Sequence, residues 1–354
     1  WSSDVCSSDL GKVLRRFGIP FTYLKNCNLE DECFAEGIDR FLRVCNVVKA
    51  FRNTRVLQIS TRPYEFWSTM CNEGELLEKF NIQLTPIPMP ELTDEMKKAK
   101  AEGTEVAKVV EYCRQNMEIC VKDNELENVA ALKVAMGNLI KKYGCQAAAI
   151  QCWNQLQSEI GIMPCAANAL CNDEGFPIAC ETDIHGTITS VLVEAAAMGE
   201  TRSFFADWTV RHPYNDNAEL LQHCGPWPIS IAKEKPTIDT PVAFDCSGSL
   251  MAQAKDGEHI SLVRFDGDNG EYSLLLGNAK TVDGPYTKGT YMWVEVENLD
   301  RLEDKLVQGP YIHHCVGVHQ DVVPVLYEAC KYIGVTPDLY DPIEEDVKAY
   351  LRGE

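Results

Sequence analysis

Residues 145–198 read CQAAAIQCWNQLQSEIGIMPCAANALCNDEGFPIACETDIHGTITSVLVEAAAM. The pattern predicts a strand of small apolar residues at 145–152, helices near 157–162 and 166–172, a strand at 177–181 and a helix at 185–198. Strand–helix–strand alternation is typical of parallel sheets that carry helices on their faces. In such sheets, functional sites form in the loops after the carboxyl ends of the strands. This stretch therefore predicts an α/β fold with parallel-sheet, Rossmann-like layers.

The chain of 354 residues is longer than a typical single domain, and its character changes along its length. We expect a central α/β domain at 55–207 and a β-rich C-terminal domain at 208–354, in which short strands alternate with Gly/Asp turns and helices close the chain. We interpret residues 11–54 as the remnant of an N-terminal α/β domain. Residues 1–10 (WSSDVCSSDL) lack an initial Met and any periodic pattern. We expect them to be non-native or disordered, in a fragment whose natural beginning is missing.

Composition narrows the possible partners and the compartment. The formal net charge of −20 repels phosphate backbones and anionic lipid, which argues against binding to nucleic acid or to a membrane surface. The sixteen cysteines are scattered without a C-x-x-C pair, as expected for mostly buried free thiols in a reducing cytoplasm. The apolar runs are too short for a membrane span, and no signal peptide is visible. The sequence therefore predicts a cytoplasmic protein with a small-molecule partner.

Two carboxylates stand out by their position. Glu181 follows the apolar run at 176–180 and precedes a helix, and Asp207 follows the apolar run at 203–206. Acidic groups are costly to bury unless they are paired or bind a metal. If the two runs are adjacent strands, both carboxylates lie at one edge of the sheet and can share a cation. The alternative is that one or both cap the helix that follows.

Histidines supply further candidate ligands, although none has a diagnostic spacing. His313 and His314 form a pair in a glycine-flanked segment, and His223 lies in the loop HCGP at 223–226. No H-E-x-x-H pattern occurs, so local spacing alone identifies no metal site.

Several ordered blocks together resemble the metal-site motifs of the L-fucose isomerase family, which is related to L-arabinose isomerases. The blocks are ACETDIHGTITSVLVEAAAMGE (179–200), FFADWTVRHPYNDN (204–217), LLQHCGPWP (220–228) and IHHCVGVHQD (312–321). The segment upstream of them fits the same pattern, so the resemblance covers the chain from about residue 55 to its end. Family members are normally longer at the N-terminus, in keeping with a truncated chain.

The resemblance implies roles for individual residues. By position, Glu181, Asp207 and His314 resemble the metal ligands, with His313 as the alternative for the histidine. His223, Gln151 and Trp208 are the candidates for substrate binding.

The resemblance also implies a reaction and a cofactor. The expected activity is the metal-dependent interconversion of an aldose and a ketose, such as L-fucose and L-fuculose, through an enediol, with Glu181 and Asp207 moving the proton. Two carboxylates and an imidazole suit Mn²⁺, with Mg²⁺ or Co²⁺ also possible. A homotrimer or homohexamer is expected from the family.

Three other functions compete with this prediction. The same chemistry could act on L-arabinose, D-arabinose or a sulfonated hexose, because the pocket residues that choose the sugar are the hardest to read. A non-catalytic sugar-binding protein could use the same fold. A nicotinamide oxidoreductase is disfavoured because no G-x-G-x-x-G motif follows a strand.

Overall fold

The computed structural model describes residues 3–242 and 245–352. Helices and strands alternate in the first half of the chain: α1 (Ser3–Arg16), α2 (Glu32–Arg52), β1 (Arg55–Ile59), α3 (Glu73–Phe80), β2 (Gln83–Ile87), α4 (Met89–Glu102), α5 (Thr104–Asn116), β3 (Glu118–Ile119), α6 (Asp123–Tyr143), β4 (Ala147–Ile150), α7 (Gln155–Ile160), α8 (Cys165–Asp173), β5 (Ile178–Ala179) and α9 (Ile184–Ala197).

Strands dominate the second half, as the sequence predicts. Its elements are β6 (Phe204–His212), β7 (Asn215–His223), β8 (Thr237–Asp239), β9 (Ser249–Gln253), β10 (Ile260–Asp268), β11 (Glu271–Val282), β12 (Thr290–Glu295), α10 (Leu299–Gln308), β13 (His314–Val318), α11 (Val323–Ile333), β14 (Thr336–Asp341) and α12 (Glu344–Arg352).

The first half is built on a four-stranded parallel sheet with the order β2-β1-β4-β5. Side chains on both faces of this sheet are buried: Val56 and Ala149 pack in one core cluster, Leu57 and Ile150 in another. Burial on both faces explains the uniformly apolar sequence of β4. The predicted parallel α/β architecture is confirmed.

The strands of the second half, together with β3 of the first half, form a ten-stranded, largely antiparallel sheet with the order β14-β11-β10-β13-β6-β7-β12-β9-β8-β3. An additional pairing of β11 with β12 closes six of these strands into a barrel. All six contribute to one apolar cluster, which fills the barrel interior. The outer face of β6, β10, β11 and β13 packs against α2, α9 and α11 in a second cluster that also includes residues of the parallel sheet.

The predicted N-terminal segment and the predicted domain boundary can be compared with the helices and strands of the structure. Residues 3–10 lie in α1, whereas residues 1 and 2 of the predicted non-native segment are outside the described residues. The boundary predicted after Asp207 places β6 in the parallel-sheet domain, but β6 pairs with β7 and β13 of the barrel. Across 3–242 and 245–352, no helix combines the length and hydrophobicity needed to cross a membrane.

Candidate metal centre

Glu181 occupies a tight turn between the short strand β5 and helix α9. Both Glu181 and Thr182 have left-handed backbone angles, with φ of 55° and 54°. Non-glycine residues held in this region cost about 1–3 kcal/mol each, and such strain is concentrated at functional sites. The turn is fastened by hydrogen bonds from the Glu181 N–H to Cys152 Sγ (3.3 Å) and from the Thr182 N–H to the Ile150 carbonyl (3.0 Å). The Glu181 carboxylate, buried and accepting from Trp153 Nε1 (3.2 Å), faces the barrel.

Asp207 and His314 reach the same point from the barrel. They are directly opposite each other in the antiparallel pairing of β6 with β13, so their side chains lie on one face of the sheet. His314 Nε2 is 3.0 Å from Glu181 Oε2 and 3.6 Å from Asp207 Oδ1. The side chains of Glu181, Asp207 and His314 therefore lie together, but they come from two different sheets. The predicted reason, two neighbouring strands ending at one sheet edge, is wrong.

His223, at the end of β7, is the fourth member of the cluster. Its Nε2 is 3.7 Å from Glu181 Oε2 and 3.8 Å from Asp207 Oδ1. The backbone N–H of Cys224 donates to His223 Nδ1 (2.9 Å), which leaves the proton of the neutral ring on Nε2. In this tautomer His223 is a hydrogen-bond donor toward the carboxylates, a different role from that of a metal ligand.

His314 has the opposite arrangement. Its Nδ1 is 2.8 Å from the Asp183 carboxylate, to which it donates, so the lone pair of the neutral ring is on Nε2 and points at Glu181 and Asp207. A carboxylate behind a histidine in this way is a common feature of metal sites, because it fixes both tautomer and ring orientation. His313 is about half exposed, and its Nε2 is 4.0 Å from Asp207 Oδ1. The geometry thus favours His314 over His313 as the ligand.

Three polar atoms in the centre have no hydrogen-bond partner within the described parts of the chain: Asp207 Oδ1, His223 Nε2 and His314 Nε2. Buried polar atoms without a partner are costly and rare in folded proteins. Two carboxylates and one imidazole lone pair converging in this way match the donor set expected for a divalent cation such as Mn²⁺. The residues present therefore fit the predicted metal.

The ionisable groups of the centre shift one another's pKa values. Burial alone would lower the pKa of His314, but the hydrogen bond with Asp183 and the close negative charge of Glu181 outweigh it and raise the pKa to about 9. Burial would raise the pKa of Glu181, yet contacts with His223 and His314 hold it well below its usual range. Without a cation, His314 thus acts as a protonated partner of the carboxylates.

We expect the affinity for Mn²⁺ to rise as pH rises toward 9. A cation must displace the proton from His314. Because one proton is displaced, the affinity for Mn²⁺ should rise about tenfold for each pH unit below the His314 pKa of about 9. In the metal-free protein, protonated His314 adds stability that is fully present below pH 6.5 and is lost as pH rises through about 9. Mn²⁺ dissociation constants measured between pH 6.5 and 9 test the first expectation, and a flat profile would contradict it.

A buried ionic network supports His314 from behind. Arg264, 1% exposed, contacts both oxygens of Asp183 and donates from Nε to Asp266 Oδ2 (2.9 Å). Asp266 Oδ1 lies 2.9 Å from His185 Nδ1. Asp183 also caps α9 by accepting from the Gly186 N–H (2.9 Å). Because Arg264 and Asp266 are on β10 and Asp183 is at the start of α9, the network also fixes the barrel against the parallel-sheet half.

Asp183→Asn should weaken Mn²⁺ binding about 10–100-fold, the usual cost of losing a carboxylate behind a metal-binding histidine. The substitution keeps the side-chain size but removes the ion pair with Arg264. Titration of the folded variant with Mn²⁺ measures the effect. Asp173→Asn, which alters a carboxylate that accepts from the Ser230 N–H elsewhere, is the matched control. Equal affinities in the two variants would contradict the role of Asp183.

The remaining predicted residues have different surroundings. Gln151 Oε1 accepts from Ser60 Oγ (2.7 Å), and Gln151 lines a cleft of about 320 Å³ with Tyr64, Trp153 and neighbouring residues. Trp208 is buried in the barrel interior, on the face of β6 opposite Asp207, because successive residues of a strand point to opposite sides. Its prediction as a substrate contact is therefore wrong, and it has a packing role.

Sequence reasoning missed Asp183, Arg264 and Asp266. A signal existed for each: Asp183 is two residues after Glu181 and directly precedes a helix, while Arg264 and Asp266 interrupt an apolar strand at a spacing of two. Charged residues in a buried strand need partners, but nothing local indicates that they find each other.

Comparison with known proteins identifies similar enzymes. No family model matches the chain. Sulfoquinovose isomerase from Priestia megaterium (strain ATCC 12872 / QMB1551) is 25% identical over 334 residues, which cover 93% of this chain and 73% of that protein. Those from Alkalicoccus urumqiensis and Clostridium sp. (strain MSTE9) are each 24% identical, covering 89% and 88% of this chain and 71% and 70% of their own lengths. These similarities confirm the enzyme class predicted from the sequence, an aldose–ketose isomerase.

Proposed function

We propose that the protein isomerises its sugar with a divalent cation, Mn²⁺ in first place, held by Glu181, Asp207 and His314. The observation that carries the proposal is the convergence of these side chains on one point, where Asp207 Oδ1 and His314 Nε2 have no hydrogen-bond partner among the residues that the structure describes. When bound, such a cation supplies Lewis-acid stabilisation of the negative charge that develops on the two sugar oxygens.

The protein's own groups account for the proton transfer. Aldose–ketose isomerisation moves a proton between C1 and C2, so a base must accept it and an acid must return it. Glu181 and Asp207 approach the centre from the two sheets, and we assign one to each task. His223 Nε2, 3.7 and 3.8 Å from these carboxylates, is placed to hold a proton beside a sugar oxygen.

The sugar enters from the side where the centre is open. The side chain of Asp207 is 24% exposed and that of His313 is 47% exposed, whereas Glu181 and His314 are buried. The cleft lined by Gln151 and Trp153 is next to the centre, because Trp153 donates to Glu181. Its volume of about 320 Å³ suits a small ligand such as a monosaccharide.

Two classes of sugar are candidates. The motif resemblance favours a deoxyhexose such as L-fucose. We also propose that the protein is a member of the L-fucose isomerase family. The relatives are named sulfoquinovose isomerases, which favours a hexose with a sulfonate on C6. We favour the sulfonated hexose, because the named relatives align with 88–93% of the chain, whereas the motif resemblance depends mainly on four short blocks.

Removal of the metal tests the proposal. Treatment with a chelator should abolish ketose formation, and Mn²⁺ should restore it and raise the melting temperature, because a ligand that binds the folded state stabilises it. The assay should compare L-fucose, L-arabinose, D-arabinose and sulfoquinovose, each with Mn²⁺, Mg²⁺ and Co²⁺. Sugar binding without turnover under all of these conditions would instead identify a non-catalytic binding protein.

A further inference from the structure

An anionic sugar needs a cation near a centre that is otherwise acidic. The chain has a formal net charge of −20, and the centre contains Glu181, Asp207 and Asp183. Arg264 cannot serve, because it is buried and committed to Asp183 and Asp266. A sulfonate or phosphate on the substrate would be repelled unless another basic group compensates.

Arg62 is the one cation in the segments that directly follow the parallel strands, at 60–66, 88, 151–154 and 180–183. These loops lie at the same edge of the sheet as Glu181, since parallel strands all end on the same side. Pro63 and Tyr64, which directly follow Arg62, line the cleft next to the centre, so Arg62 adjoins the wall of this cleft.

The loop that carries Arg62 is fastened to the turn of Glu181. Thr182 Oγ1 donates to the Thr61 carbonyl (3.1 Å), and the hydroxyl of Thr69 is 3.5 Å from the Glu181 carbonyl. The ring of Phe66 packs edge-on against Trp153, with centroids 5.3 Å apart, and Trp153 in turn donates to Glu181. The position of Arg62 is thus set relative to the metal centre.

The guanidinium of Arg62 is pre-organised without being neutralised. Its Nη1 donates to the carbonyls of Pro63 (2.9 Å) and Tyr64 (3.1 Å), and the group lies over the ring of Trp67 at 5.5 Å. Arg62 is half-buried and has no carboxylate partner among residues 3–242 and 245–352. Its other N–H groups remain available, in the planar arrangement that suits a tetrahedral oxyanion.

We propose that Arg62 binds the anionic group on C6 of the substrate and thereby selects a sulfonated or phosphorylated hexose over a neutral one. This inference rests on the proposed function. Arg62 is a specificity-determining residue: the chemistry at C1 and C2 belongs to Glu181, Asp207 and His223, whereas Arg62 holds the opposite end of the sugar.

The test compares sugars that differ only at C6. With the Mn²⁺-loaded protein, kcat/KM is measured for sulfoquinovose, glucose 6-phosphate and 6-deoxyglucose. Arg62→Met should lower the ratio of kcat/KM for the anionic sugar over the deoxy sugar about 10–100-fold, the effect of losing charge-assisted hydrogen bonds, mainly through KM. Arg62→Lys should recover part of the ratio. A fall for only one anion names the group as sulfonate or phosphate.

Arg55→Met is the matched control. Arg55 is exposed at the other end of β1, so this substitution changes the net charge equally without altering the site. An unchanged ratio in Arg62→Met, equal to that of Arg55→Met, would overturn the inference. If the wild-type protein forms no ketose from any sugar, the proposed function has failed. Calorimetric binding of sulfoquinovose to wild type and Arg62→Met, with melting temperatures to confirm folding, then decides the role of Arg62 alone.

Discussion

Glu181→Gln is expected to lower kcat by at least about 10⁴-fold, the upper range for loss of a general acid–base group, because the same residue also holds the metal. Gln has nearly the same shape and can still accept from Trp153 Nε1. What it lacks is the negative charge that faces His314 at 3.0 Å and His223 at 3.7 Å. Turnover and Mn²⁺ affinity should therefore fall together.

A control separates this effect from simple damage to the fold. Glu194→Gln on α9 alters another largely buried carboxylate, which accepts from the Ser203 N–H (2.6 Å) and pairs with Arg202. It is far along the helix from the centre, so it should bind Mn²⁺ like the wild-type protein. Near-normal ketose formation by Glu181→Gln would show that the centre is assigned to the wrong residue.

The candidate site illustrates which features a sequence can reveal. Glu181 and Asp207 were recognisable because a carboxylate next to an apolar run is energetically conspicuous. The way in which the two carboxylates come together was not recognisable. It depends on the packing of a barrel strand against the turn after β5, a contact that has no signature in the local sequence. The parallel sheet itself was predictable from the alternation of strands and helices in residues 145–198.

Strand register determines which of the candidate side chains face the metal centre, and the spacing of residues in the sequence does not. Sequence spacing does not distinguish His313 from His314, whereas the pairing of His314 opposite Asp207, the burial of its ring and its bond to Asp183 do. The same alternation that turns Asp207 toward the centre turns Trp208 into the barrel interior. A period of two at residues 204–208 places Trp208 on the face opposite Asp207, away from the centre.

The two neighbouring histidines should therefore differ sharply when each is replaced by Gln. In His314→Gln, the imidazole lone pair that points at Glu181 and Asp207 is lost, and Asp183 loses the ring it orients. We expect Mn²⁺ affinity to fall more than about 100-fold, beyond the range found when only a residue behind a ligand is lost. Ketose formation should fall with it.

His313→Gln should retain Mn²⁺ binding within a few-fold of the wild-type protein. The ring of His313 is 47% exposed and reaches only to 4.0 Å from Asp207, and its backbone carbonyl, which accepts from the Trp208 N–H, is unaffected by the substitution. Titration of both variants with Mn²⁺ or Co²⁺ gives the comparison directly, and melting temperatures show whether each is folded. If His313→Gln lost the metal and His314→Gln kept it, the ligand would be the exposed neighbour, and Asp183 would have to serve the fold rather than the centre.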